Sequence, residues 1–195
     1  MRLFVAIELP EGQRRRLAEL PERFRWNALE SASLNWTREE NLHVTLKFLG
    51  EVNDQQIPQV TDALGVVRVP GPITLRIESL GFLPPRGPIR VFAARIGGDL
   101  DQMAALHAGI ELAMEPLGFA RERRPYSPHV TLARPRRERR ISGDARADVA
   151  EHQPPPGPDF VVDQFVLMRS DLANGPPRYT PIAHFPTTPN PEVDR

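Results

Sequence analysis

Hydrophobic and polar positions alternate most clearly from Asn41 to Phe48. Leu42, Val44, Leu46 and Phe48 make one apolar set, and Asn41, His43, Thr45 and Lys47 the polar set between them. A period of two predicts a half-buried β-strand, closed here by Gly50. The tetrapeptide His-Val-Thr-Leu at 43–46 returns at 129–132 and predicts a second strand of the same kind. Around these two, residues 2–9 predict a buried strand, and 12–24 have helical spacing through Leu17, Leu20 and Phe24. Leu34 to Trp36 predicts a short strand, and Thr37 to Glu40 matches the capping box of a brief helical turn. Asn53 or Asp54 can cap a helix running to about Leu64, with Pro58 in its first turn. Residues 72–82 and 89–96 alternate like an antiparallel pair joined by a Pro-rich link. The strongest helical stripe starts at Asp99 or Asp101. It runs through Leu100, Met103, Ala104, Leu106, His107, Ile110, Ala113, Met114 and Leu117, and Gly118 stops it. A basic, Pro-rich stretch at 134–158 leaves room for at most one short helix. Phe160 to Arg169 and Tyr179 to Phe185 predict closing strands around a turn at 174–177.

One special strand falls in each half of this order. The expected fold is α+β, with two pseudo-symmetric lobes whose antiparallel sheets face each other across a central cleft. Residues 1–185 are expected to form one bilobal unit, followed by a flexible tail at 186–195.

The 195 residues can bury a sizeable core, and 40% apolar with 26% charged is ordinary for a globular protein. No apolar run approaches the ~18 residues a membrane span needs, and the N-terminus reaches Glu8 too soon for a secretory signal. The chain has no Cys, which excludes disulfides, a thiolate nucleophile and a Cys-based zinc site. A cytoplasmic enzyme or binding protein is therefore expected. Net charge is zero, so any nucleic-acid contact has to come from a local patch. Lys47 is the only lysine, and arginine is the better bidentate phosphate ligand.

One His-x-Thr strand usually means a half-buried, hydrogen-bonded histidine. Two of them supply both halves of an acid/base cycle, with threonine hydroxyls as neutral donors for oxygens that gain charge. No Asp or Glu shares the polar face of either strand, which weakens a metal site, and no Gly-rich phosphate loop is present. Ser127 has no adjacent acid for a triad. His107 reads as a core or boundary residue, and His152 and His184 as residues without a role. The runs Arg121–Arg124 and Arg136–Arg140 flank the second strand. They are either a solvated face or a basic rim for a polyanion. Trp26, Trp36, Phe82 and Tyr126 are either base-stacking platforms or packing.

With these residues in view, the sequence resembles the two-histidine phosphoesterases. It is most similar to their LigT/ThpR branch, the bacterial RNA 2′,3′-cyclic phosphodiesterases once named 2′-5′ RNA ligases. The resemblance rests on residues 2–7, 41–50 and 127–134, with Phe165–Ser170 and Gly175–Tyr179 also fitting. It implies a LigT-like fold and hydrolysis of RNA 2′,3′-cyclic phosphate ends to 2′-phosphomonoesters, with reverse 2′-5′ ligation also open. It implies His43 as proton donor, His129 as proton acceptor, and Thr45, Thr131 and Arg134 as substrate ligands, without metal or nucleotide cofactor. The expected partner is RNA with a cyclic phosphate end, tRNA fragments included, acted on by a monomer away from membranes. The alternatives are an RNA-end binding protein, or a phosphodiesterase for another cyclic or 2′-5′-linked nucleotide. Strict alternation sets Arg134 on the face opposite His129, so as a ligand it requires the strand to bulge or end before it.

Overall fold

The computed structural model describes residues 1–24, 34–69, 71–135, 143–172 and 175–188. Among these residues nine strands join one antiparallel sheet. They are β1 (Arg2–Glu8), β2 (Leu34–Trp36), β3 (His43–Glu51), β4 (Ile73–Leu83), β5 (Val91–Gly98), β6 (His129–Pro135), β7 (Phe160–Val162), β8 (Gln164–Asp171) and β9 (Arg178–Pro186). The order is β7-β4-β5-β6-β3-β1-β8-β9, and β2 pairs with β6 off this path. The sheet is curled. Four strands of the path lie on either side of the β3–β6 seam, with β2 beside β6. The two lobes expected from the sequence are therefore parts of one curled sheet that join edge to edge at β3 and β6. That seam is a single residue pair, Val44 opposite Val130.

The helices are α1 (Glu11–Ala18), α2 (Leu20–Arg23), α3 (Ile57–Gly65), α4 (Leu100–Met114) and α5 (Gly143–Glu151). The main core contains Leu3, Val5 and Ile7 of β1, Val44 and Val130, and Leu17, Val60, Leu64, Met103, Leu106 and Ile110 from the helices. On α4 Met103, Leu106, Ile110 and Met114 are fully buried, whereas Leu100 is 43% exposed, so the working stripe is narrower than the sequence suggests. A second, small cluster of Phe4, Ala6, Val166 and Met168, with Tyr179 packed on it, lies apart from that core. β1 alternates without a break against β8, so Arg2, Phe4, Ala6 and Glu8 share the face opposite Leu3, Val5 and Ile7.

Three local expectations change. The helix expected over 12–24 is broken into α1 and α2, because Pro21 has no amide hydrogen to donate and its ring crowds the preceding turn. The capping box at 37–40 does not form. Thr37 instead donates its amide to Leu132 O at 2.8 Å, extending the β2–β6 pairing, and the short 3₁₀ turn at Glu39–Asn41 has no side-chain cap. The chain is also held past residue 185. Thr187 is fully buried, its hydroxyl donating to Val162 O at 3.1 Å and its amide to Asp163 O at 2.8 Å. Residues 189–195 of the expected tail, Trp26, the 136–140 arginine run and Asn174 lie outside the described residues.

Other expectations hold. Asn53 caps the turn before α3, its side chain accepting from the Gln55 amide at 3.0 Å. Gly118, at φ +89, ends the α4 segment in the left-handed conformation that glycine adopts at no cost.

Candidate active site

The seam between the lobes is where the two His-Val-Thr-Leu copies meet. They run antiparallel with Val44 opposite Val130, both fully buried. Extending that register by one residue each way sets His43 opposite Thr131, and Thr45 opposite His129. All four are half-buried on the face opposite the valines. The repeat therefore builds a two-fold backbone arrangement in which each histidine position is set opposite the other copy's threonine position.

Each histidine is oriented in the same way. Nδ1 of His43 donates to Asn41 O at 2.7 Å, and Nδ1 of His129 donates to Ser127 O at 2.8 Å. A carbonyl can only accept, so Nδ1 carries a hydrogen in both rings and Nε2 is left for proton transfer. Nε2 of His43 lies 3.1 Å from Thr45 Oγ1. His43 is further held between aromatic rings, with Phe4 at 5.0 Å and Tyr179 edge-on at 5.3 Å. Burial lowers its pKa, the Asn41 carbonyl partly offsets this, and the charge of His129 lowers it again.

The requirement set for Arg134 is met. Against β5, residue Phe92 pairs with Ala133 but Ala93 with Thr131, so Leu132 is an inserted residue. Leu132 and Ala133 are consecutive buried residues, and Arg134 turns out to the exposed face shared with His129 and Thr131. β3 bulges at the equivalent place, where Val5 pairs with Lys47 but Ala6 with Thr45, leaving Leu46 inserted. This overturns the simple alternation there. Lys47 lies in the core at 6% exposure and Phe48 is 66% exposed on the face of His43 and Thr45. Phe48 is the counterpart of Arg134 in the other copy, with its ring 6.1 Å from that of Phe4.

Lys47 is satisfied where it is buried. Its Nζ donates to Glu111 Oε2 on α4 at 2.6 Å and to Ala120 O at 2.8 Å, and Glu111 also accepts the Glu122 amide at 3.2 Å. A buried pair completed in this way avoids the cost of an unmatched charge and fixes α4 against the bulge.

The other candidates separate cleanly. Tyr126 is packing rather than a platform: it stacks on His107 at 4.1 Å and its hydroxyl donates to Thr45 O at 3.1 Å. Burial pushes its phenol pKa up. The hydrogen bond ties the approach to His129 onto the first motif. Tyr126→Phe is expected to lower stability by about 1 kcal/mol, read as a shift in the urea midpoint at constant m. An unchanged midpoint would show that this tie carries no stability. Phe82 packs in the core at 5.1 Å from Phe92, and Trp36 meets Phe92 edge-on at 5.8 Å. His107 is a boundary residue 3.5 Å from Glu111, and His152 pairs with Asp148 at 3.1 Å. His184 pairs with Glu8 at 3.2 Å. Glu8 lies opposite His43 in the sheet, an acid the single-strand reading did not see. Among the described residues no cluster of three or more His, Asp or Glu has a metal-binding arrangement. Two cavities of about 330 and 390 Å³ lie against α1–β4 and against β1–β8, and neither is lined by a motif histidine.

Three contributors were missed in the sequence. Asn41 aims His43 with its carbonyl while its Nδ2 donates to Pro177 O at 2.7 Å, and Phe4 and Tyr179 box the ring. Periodicity carries no signal for a contact made across the sheet.

The LigT like Phosphoesterase family model matches residues 7–93 and 99–179. The chain belongs to that family. An RNA 2′,3′-cyclic phosphodiesterase of Escherichia coli is 32% identical over 204 residues, covering 96% of this chain and 97% of that protein. One of Thermus thermophilus is 32% identical over 197 residues, covering 95% and 89%. Among solved structures, E. coli LigT complexed with 3′-AMP aligns with a TM-score of 0.73 at 26% identity, over 96% of this chain and 98% of that one. A Thermus thermophilus protein aligns at 0.72 with 30% identity, over 95% and 97%. Family and fold therefore agree. No helix among the described residues is long and apolar enough to cross a membrane.

Proposed function

We propose that this chain hydrolyses RNA 2′,3′-cyclic phosphate ends to 2′-phosphomonoesters by paired general acid/base catalysis. The observation that carries the reading is the meeting of the two motif copies at Val44–Val130, with both Nδ1 atoms committed to carbonyls and both Nε2 atoms left for proton transfer. The relatives named above as RNA 2′,3′-cyclic phosphodiesterases support the same activity.

In-line displacement at phosphorus places the entering water and the departing 3′-oxygen on opposite sides. Two proton-transfer groups on two lobes fit that geometry. His129 takes the proton from water and His43 delivers one to the 3′-oxygen, the order the family resemblance implies. Thr45, Thr131 and Arg134 hold the non-bridging oxygens as charge accumulates on them. Phe48, aromatic and exposed on the same face, offers the terminal base a surface to stack on. Both motif copies come from one chain, so a cytoplasmic monomer is a complete catalytic unit in this reading. Ends of this kind, on tRNA fragments or other RNAs, are its substrates.

The test is turnover of 2′,3′-cyclic AMP and of an RNA ending in a cyclic phosphate, with EDTA present. Multiple turnovers to a 2′-phosphate are expected. Stoichiometric binding without product would make the chain an RNA-end binder, and activity restored only by a divalent cation would replace the two-histidine mechanism.

A further inference from the structure

The face that carries His43 continues along β1 to a group that the reaction at the cyclic phosphate leaves unused. Arg2, Phe4, Ala6 and Glu8 share that face. Phe4 touches His43 at 5.0 Å and Tyr179 at 5.0 Å, and Tyr179 in turn meets His43 at 5.3 Å. Tyr179 lies opposite Ser170 on β8, which is opposite Arg2 on β1, so Arg2 and Tyr179 flank the same residue at the same level of the sheet. Arg2 is two residues from Phe4, roughly 7 Å along the strand.

Neither the Arg2 guanidinium nor the Tyr179 hydroxyl makes a hydrogen bond or ion pair with another described residue. Glu51, opposite Arg2 on β3, is instead 3.8 Å from the N-terminal amine. Burial raises the Tyr179 pKa, and the charges of Arg134 and Arg2 act against it, so both cations act on the one phenol. Arg134 comes from one lobe, and Arg2 and Tyr179 from the other.

We propose that Arg2 and Tyr179 form a second phosphate subsite, which binds the phosphodiester on the 5′ side of the terminal nucleotide. The proposal rests on the phosphodiesterase reading above and sharpens its substrate class to an RNA strand rather than a free cyclic mononucleotide. The cyclic phosphate is the last phosphate of the strand, so the phosphodiester nearest to it is the one on the 5′ side of the terminal nucleotide. Arg2 supplies charge and a planar donor pair, and Tyr179 a neutral donor.

The experiment compares kcat/KM for ApA ending in a 2′,3′-cyclic phosphate with kcat/KM for 2′,3′-cyclic AMP, in wild type, Arg2→Ala, Arg2→Lys and Tyr179→Phe. The readout is the ratio of the two substrates, so a general loss of activity cancels. Wild type is expected to favour the dinucleotide through KM. Arg2→Ala should lower the ratio roughly 10-fold, the value of one charge-assisted hydrogen bond. Tyr179→Phe should lower it by a smaller factor. Arg2→Lys should recover part of it, because the charge remains while the bidentate geometry is lost. The dinucleotide preference should also weaken as salt rises, as a phosphate contact requires. A ratio unmoved by Arg2→Ala would overturn the subsite while leaving the phosphodiesterase reading intact. Failure of the wild type to turn over either substrate would overturn both.

Discussion

Alanine at either motif histidine is expected to lower kcat/KM on a cyclic phosphate end by about 10²- to 10⁴-fold, the usual value of a positioned proton-transfer group. Each imidazole has Nδ1 fixed by the carbonyl two residues earlier, so each loses a preorganised Nε2 rather than a mobile group. Thr45→Ala and Thr131→Ala should cost less, because each hydroxyl is one of several donors around the phosphate and water can partly replace it. The double histidine variant should be little worse than the worse single one, since the two act in one displacement. Thermal unfolding of each variant separates lost chemistry from lost folding. Losses that multiply in the double variant would show two independent events, and losses below tenfold would take the histidines out of the chemistry.

The histidines and threonines were legible because alternation alone puts residues 43 and 45, or 129 and 131, on one face. That argument stops at the first inserted residue. The bulge at Leu46 exchanges the faces of Lys47 and Phe48, and the bulge at Leu132 brings Arg134 round to the histidine side. A bulge is a mismatch between a strand and its neighbour, so it is written in the pairing of β3 with β1 and of β6 with β5 rather than in either segment. The same limit hid Asn41, Phe4 and Tyr179, whose contacts with His43 are made from a turn, a neighbouring strand and a strand far along the sequence. Tyr126 was legible as an aromatic near the second motif, but its hydroxyl's partner is a carbonyl 81 residues away. The break between α1 and α2 was readable in principle, because Pro21 marks it, and the run of apolar spacing across it obscured the mark.

Arg134→Ala is expected to lower kcat by about 10²- to 10³-fold, as for loss of one donor aimed at oxygens that gain charge in the transition state. The pH profile gives this prediction a second, independent readout. Burial holds the pKa of His43 below the ordinary 6.5 in the free protein. The limb of kcat/KM that His43 sets, which reports the free protein, should therefore lie below that value. Bound substrate brings an anionic phosphate next to the imidazole. This favours its protonated form, so the His43 limb of kcat should lie at higher pH than that of kcat/KM. Arg134 is not among the groups that shift His43 in the free protein, and its removal should leave the kcat/KM limb in place. In the complex the same removal leaves the phosphate charge less neutralised, which should move the kcat limb further up. The measurement is kcat and kcat/KM from pH 5 to 9 for wild type and Arg134→Ala, in EDTA. A kcat within about threefold of wild type, below the cost of even one lost donor, would remove Arg134 from the oxyanion contacts despite the bulge that exposes it. The limb set by the low-pKa group should disappear in His43→Ala, and a profile that keeps both limbs in that variant would remove His43 from the proton transfers.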